Sequence, residues 1–150
     1  MYKDILYPVD ISEEGSWDDS LSVAIGMAQA FNARLHIVTV ISDYGMSLVA
    51  QYFPQGSVDK VIEKTNKALH KFVDKYIPKE IKVQHIVGKG SVYECIIKTA
   101  DEINADLIIM SAHRPGLKDY LLGPNAGKVV RHSARSVLVV REKVKKRKKK

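Results

Sequence analysis

The residues of this chain best suited to chemistry are hydrogen-bond donors rather than attacking groups. Gly123-Pro124-Asn125-Ala126 opens a predicted helix. The first turn of a helix carries unpaired amides and a partial positive charge, a natural seat for phosphate. Proline is welcome at the first helical position, where its missing amide would be unpaired anyway, so the amides of Asn125 and Ala126 stay available. Asp10 closes the apolar run Ile5-Leu6-Tyr7-Pro8-Val9, and it reads either as a polar strand end or as a ligand-binding carboxylate. Arg114 reads either as a solvent-facing loop arginine or as a partner for phosphate oxygens.

Other patterns carry less chemistry. Gly88-Lys89-Gly90-Ser91 starts like a dinucleotide fingerprint, but Tyr93 stands where the third glycine belongs. A plain turn followed by a helix cap is expected there. The five histidines, His36, His70, His85, His113 and His132, show no metal-ligand spacing with Cys95 or with each other, so structural roles are expected. There is no Gly-x4-Gly-Lys-Ser/Thr loop, which removes the case for a P-loop ATPase. No serine, cysteine or histidine arrangement suggests a covalent nucleophile.

The elements that must position these residues follow from periodicity. Ile5 to Val9 reads as a buried strand, and Leu35 to Ile41, rich in β-branched residues, as a second. Ser16 with Asp19 reads as a helix start, after which Leu21, Ile25, Ala28 and Phe31 share one face. Residues 43–56 carry Gly45, Pro54 and Gly56 without a sustained period and are expected to be an irregular loop. Val58, Ile62, Leu69, Phe72 and Tyr76 mark a long helix that stops before Pro78. Ile81 to Val87 is a third strand, and Ser91 caps a helix with Val92, Ile96, Ala100 and Ile103 inward. Ala105 to Met110 is the fourth strand, residues 124–133 a short helix, and Val137 to Val140 the fifth strand. This alternation argues an α/β fold with a parallel sheet covered on both faces, the common arrangements being doubly wound. In such sheets ligands bind outside the carboxyl ends of strands, where the strand order reverses. The rule selects Pro8-Val9-Asp10, Val40-Ile41-Ser42 and the turn from Ser111 to Gly123.

Composition sets the outer bounds. The chain of 150 residues suits one domain, and its single cysteine excludes a disulfide framework. No apolar run is long enough to span a membrane, and Met1-Tyr2-Lys3-Asp4 is too polar for a signal peptide, so a cytoplasmic protein is expected. Of the 24 Lys and Arg, seven lie in 143–150, leaving 17 to balance the 17 Asp and Glu. The expected organisation is therefore a neutral domain over 1–142 with a basic, disordered tail over 143–150, not a basic nucleic-acid-binding fold.

The sequence resembles the universal stress protein family over essentially all of residues 1–141. The resemblance rests on Ile5-Leu6-Tyr7-Pro8-Val9-Asp10, on Asp106 to Ser111, on Tyr120 to Ala126, and on the closing Val129 to Arg141. It implies an open five-stranded parallel sheet of order 3-2-1-4-5 with four helices, of the adenine-nucleotide alpha-hydrolase-like type. It also implies an adenine-nucleotide-binding, usually dimeric, stress-responsive cytosolic protein. ATP-binding members carry Gly-x2-Gly-x9-Gly-Ser/Thr after strand four. This chain has Ser111-x2-Arg114-x8-Gly123-Pro124 instead, one residue shorter and without two of the glycines. His113-Arg114-Pro115 and Leu122-Gly123-Pro124-Asn125-Ala126 are similar to a bacterial subgroup with Ser-His-Arg-Pro and Leu-Gly-Ser-Asn-Ala, except that Pro124 replaces the serine. The lost hydroxyl is one hydrogen bond to a charged group, roughly 1.5–3 kcal/mol or about 10- to 100-fold in affinity.

Carried over residue by residue, the resemblance puts Pro8, Val9 and Asp10 at the adenosine end and Val40 against adenine. Met110, Ser111 and Ala112 would flank ribose and α-phosphate, with Gly123, Asn125, Ala126 and Arg114 at the phosphates. The implied ligand is ATP or AMP, with or without Mg²⁺. The leading expectation is a nucleotide-binding regulatory module. The alternatives are a slow ATP-hydrolysing or self-modifying enzyme, with Asp10 organising Mg²⁺ and Arg114 stabilising the transferring phosphate, and a nucleotide-free dimeric scaffold. Val137 to Val140 would form an exposed sheet edge, so a homodimer, or a dimer of dimers, is expected through it. The tail reads as a solvated solubility segment, or as a contact for anionic lipid or nucleic acid.

Overall fold

The computed structural model describes residues 1–42, 57–112 and 124–143. The elements are β1 (Asp4–Pro8), α1 (Asp18–Phe31), β2 (Arg34–Ser42), α2 (Ser57–Tyr76), β3 (Val83–Gly90), α3 (Val92–Glu102), β4 (Leu107–Ser111), α4 (Pro124–His132) and β5 (Ser136–Val140). All strand pairs are parallel, in the order β3-β2-β1-β4-β5. The chain walks outward from β1 through β2 to β3, then crosses to the other side of β1 for β4. The strand order therefore reverses between β1 and β4.

Two apolar layers hold the sheet, and strand alternation divides residues between them. Ile5, Tyr7, Leu35, Ile37, Leu107 and Ile109 face α1 and α2, meeting Leu21, Ala24, Ala28, Leu69, Phe72 and Val73. Leu6, Val38, Ile108 and Met110 face α3 and α4, meeting Ile96, Ala100, Ala126 and Val129. Because both faces are covered, the central strands read as unbroken apolar runs. The long α2 stripe is buried only in its second half: Val58 and Ile62 are half-buried and Tyr76 is exposed. Among the described residues no helix is long and apolar enough to cross a membrane.

Three local expectations change. Ser16 is not the cap of α1; its hydroxyl donates to the Glu13 carbonyl at 2.6 Å, and Trp17 occupies the N-cap position. The cap comes from across the molecule, where the Glu142 carboxylate accepts the amides of Asp19 and Ser20 at 2.7 and 2.9 Å. Ser91 does stand at the N-cap of α3, in extended geometry, but its side chain makes no capping hydrogen bond. The third strand runs later than its apolar residues suggest. Ile81 sits in a turn, its amide bonded to the Pro78 carbonyl, while pairing with β2 continues from Leu35↔Val83 to Ser42↔Gly90. Gly88-Lys89-Gly90 is thus strand and not turn. A Cβ at Gly88 would overlap the Cys95 sulfur of α3, so the glycine serves close approach of helix to strand. The segment 43–56, the stretch 113–123 with Arg114 and Gly123, and tail residues 144–150 lie outside the described residues.

Candidate functional site

At the carboxyl ends of β1 and β4 the sheet opens into a crevice of about 220 Å³, room for a ring system rather than for isolated waters. Its lining brings together Pro8, Val9, Asp10, Val40, Met110, Ser111 and Asn125. These seven come from four separate segments of the chain and meet because β1, β2, β4 and α4 all point their relevant ends at the reversal point. Ala112 and Ala126 stand beside the crevice without lining it. Ala112 gives its amide to the Val140 carbonyl at 2.8 Å, and Ala126 is buried in the second layer.

The polar groups are held by local geometry. Asp10 Oδ1 accepts the amide of Ser12 at 3.0 Å and also its hydroxyl, the turn that an aspartate makes with its own backbone two residues on. Asp10 itself is exposed, at the crevice mouth. Ser111 Oγ donates to the Ser16 carbonyl at 2.8 Å, tying the end of β4 to the segment that leads into α1. Asn125 is half-buried in the first turn of α4, immediately after Pro124 at the first helical position. Apolar side chains from both faces, Val9, Val38, Val40 and Met110, complete the inner wall with Val92 and Ile96 of α3. Beneath it, the Tyr7 hydroxyl and Ser20 Oγ are 2.8 Å apart. Burial is the main influence on Tyr7 and pushes its phenol far above the ordinary range, against the Ser20 hydrogen bond and with smaller help from Glu142 and Asp18.

Sequence reasoning did not select Glu13, Ser16 or Trp17, which also line the crevice. Trp17 is the chain's only tryptophan and is 6% exposed, edge-on to Phe72 with ring centroids 5.1 Å apart. An isolated tryptophan just before a helix was the available signal. Glu13 offered none, because its place depends on the turns closed by the Asp10 and Glu13 carbonyls. Among the described histidines, His36 Nε2 lies 2.8 Å from Asp4 Oδ1 and His70 stacks on His85 with ring centroids 3.7 Å apart, while His113 lies outside the described residues. Among the described residues no group of three or more His, Cys, Asp or Glu could hold a metal ion.

An open parallel sheet with a crevice at its reversal point, flanked by a helix N-terminus, defines a doubly wound α/β protein, a class of fold in which small molecules bind at this position. Comparison with known proteins makes this specific: the chain belongs to the universal stress protein family, whose sequence model matches residues 1–141. It is similar to Universal stress protein G of Escherichia coli O157:H7, at 28% identity covering 94% of this chain and all of that protein. It is 27% identical to Universal stress protein MJ0577 of Methanocaldococcus jannaschii, over 95% of this chain and 97% of that one. The solved structure of MJ0577 superposes with a TM-score of 0.73, covering 97% of this chain and 99% of the other. A crystal structure of a universal stress protein in complex with cAMP shares the fold at 23% identity and a TM-score of 0.58, covering 95% and 98%.

Proposed function

We propose that the protein is an adenine-nucleotide-binding regulatory module whose ligand, ATP or AMP, occupies the crevice at the β1–β4 reversal. The observation that carries this reading is the convergence of an apolar wall (Val9, Val40, Met110), a mouth carboxylate (Asp10) and the first turn of α4 (Asn125) on one opening. The donor set fits the two halves of a nucleotide. Apolar strand ends suit a purine face, Asp10 and Ser111 suit ribose hydroxyls, and helix amides suit phosphate. The family resemblance assigns Arg114 and Gly123 to the phosphate side, and both lie outside the described residues. Mg²⁺ binding requires the phosphates as co-ligands, since Asp10 and Glu13 supply only two carboxylates. The relative bound to cAMP supports adenine-nucleotide binding within this fold.

The reading extends to a cytoplasmic homodimer joined through β5. Its first test is to denature freshly purified protein and identify any released nucleotide by chromatography, then to titrate stripped protein with ATP and AMP while following Trp17 fluorescence. Saturable binding that weakens about 10- to 100-fold in Asp10→Ala is expected, the size of one lost hydrogen bond to a charged group. An empty protein that does not saturate with millimolar nucleotide overturns the reading and leaves a dimeric scaffold.

A further inference from the structure

Of the 24 Lys and Arg, seven lie beyond residue 142, so residues 1–142 balance 17 basic side chains against 17 acidic ones. On α2, however, the charges are sorted. The helix carries five lysines, Lys60, Lys64, Lys67, Lys71 and Lys75, and all are exposed. Spacings of four, three, four and four residues keep them within about 80° of one another around the helix axis. The helix acids Asp59, Glu63 and Asp74 fall together along one flank of that row. Lys67 reaches back to Glu63 at 3.6 Å, a long contact between exposed groups that costs little to open. The row is firmly presented, because Leu69, Phe72 and Val73 fix the far side of the helix in the core.

Successive lysines stand about 4.5–6 Å apart along the axis, at 1.5 Å per residue, the scale on which phosphates follow one another along a strand. A row of ammonium groups meets a row of phosphates as point charges, without reading bases. At the end of the row an aromatic side chain joins it. Lys75 Nζ stands 5.1 Å from the ring centroid of Tyr76, which is 37% exposed. A cationic track beside an aromatic platform suits single strands, whose unpaired bases have faces free to stack. An anionic membrane fits less well. An interfacial helix inserts its apolar side, and that side of α2 is committed to the sheet.

We propose that α2 is a docking ridge for single-stranded nucleic acid, with the backbone along Lys60, Lys64, Lys67, Lys71 and Lys75 and a base against Tyr76. The contact is independent of base sequence. It is separate from the crevice and does not rest on the nucleotide reading above.

The test compares full-length wild type with two variants. The ridge variant has those five lysines changed to Gln; the control has Lys3, Lys82, Lys89, Lys98 and Lys128 changed to Gln. All ten positions are exposed, the two variants have equal net charge, and the basic run 145–150 is the same in every protein. Far-ultraviolet dichroism checks that each is folded. Fluorescence anisotropy follows a labelled oligo(dA) strand of about 15 nucleotides, between about 50 and 200 mM salt. Wild type is expected to bind and the control to stay within about three-fold of it. The ridge variant should bind about ten-fold more weakly, the worth of several exposed ion pairs. Its log–log salt slope should be shallower by about 3. Tyr76→Leu should weaken binding about five-fold or more, as the loss of one stacked base does. Equal losses in the ridge and control variants reduce the effect to net charge and overturn the ridge. A ridge variant that binds like wild type overturns it too, as does a wild type that does not bind. Tighter binding of the corresponding duplex, or an unchanged Tyr76→Leu, overturns the single-strand assignment. Vesicles containing phosphatidylserine that bind wild type but not the ridge variant, with oligonucleotide binding equal in both, overturn nucleic acid in favour of a membrane.

Discussion

Gly88 and Cys95 compete for one space, because a Cβ on the strand would fall where the helix places its sulfur. Gly88→Ala should therefore cost about 1–3 kcal/mol, the usual penalty for overpacking. Adding Cys95→Ala empties the position, so the double variant should recover most of the loss in urea denaturation; simple additivity of the two changes would refute the shared-space account. In the sequence Gly88 read as a turn, since a glycine kept for close approach looks the same as one kept for a bend. His85 makes a second residue-scale prediction. Its ring stacks on His70 of α2, and its Nε2 is buried without a hydrogen-bond partner among the described residues. Desolvation first, then the neighbouring His70 charge, lower its pKa below the ordinary histidine value, with Asp74 opposing. The folded state then resists protonation that the unfolded chain accepts, so stability falls as pH drops below about 6.5, the ordinary value. His85→Leu should flatten that part of the stability–pH curve, and an unaltered slope would remove His85 as its cause. Asn125→Asp separates fold from function at the α4 terminus. A carboxylate there favours the helix by about 0.3–1 kcal/mol but repels phosphate, so thermal stability should hold while ATP affinity drops and adenosine affinity does not.

At the scale of elements, what the sequence announces is what neighbours in the chain decide. The strands of the two covered layers show as apolar runs, and α3 shows its buried side through Ile96 and Ala100 at helical spacing. The helix ends of α1 and α3 also carry a local mark: Asn32 and Asn104 take positive φ values of 51° and 55°, which asparagine tolerates better than most residues. What escaped the sequence depends on distant partners. The end of β3 is set by its ladder with β2 and not by its own side chains, which is why pairing runs on to Gly90. The start of α1 is satisfied by Glu142, 122 and 123 positions away from the amides it accepts, and no local pattern could indicate it while Ser16 stood nearby as a plausible cap. Likewise the seven crevice residues selected in advance came from strand ends and from the start of α4, whereas Glu13, Ser16 and Trp17 were missed because they sit on a turn-rich approach to a helix. Glu142→Ala tests the long-range cap. It leaves two first-turn amides without their partner, a loss of about 1–2 kcal/mol, which for a chain of this size lowers Tm by roughly 2–8 °C. A melting temperature unchanged in scanning calorimetry would mean that water replaces the carboxylate at no cost.

At the scale of the whole molecule, the sheet formed by the described residues ends in two edge strands, β3 and β5, and they are not alike. β3 carries Gln84, His85 and Lys89 with glycine at 88 and 90, whereas β5 reads Ser136-Val137-Leu138-Val139-Val140 without a charge. Charged residues and irregularity are the usual protection of an exposed edge, and β5 has neither. Val130 of α4, 45% exposed, adds apolar surface on the helix that packs against β5. These features support self-association at β5, where two copies related by a two-fold axis would pair their edges in antiparallel fashion. The backbone indicates which groups would do so. The Val140 carbonyl is turned toward β4, where it accepts the Ala112 amide. Alternate residues of a strand direct their peptide groups to opposite sides, so the amides and carbonyls of Val137 and Val139 point outward. Proline is tolerated on an edge strand where its missing N–H faces away from the sheet. Val139→Pro should therefore leave the β4 ladder intact while removing an outward donor and the room for a partner strand. In sedimentation experiments wild type is expected to be dimeric and Val139→Pro monomeric, both with the far-ultraviolet dichroism of the folded protein. A folded Val139→Pro that remains dimeric would move the interface to another surface, and a monomeric wild type would leave β5 an unpaired edge.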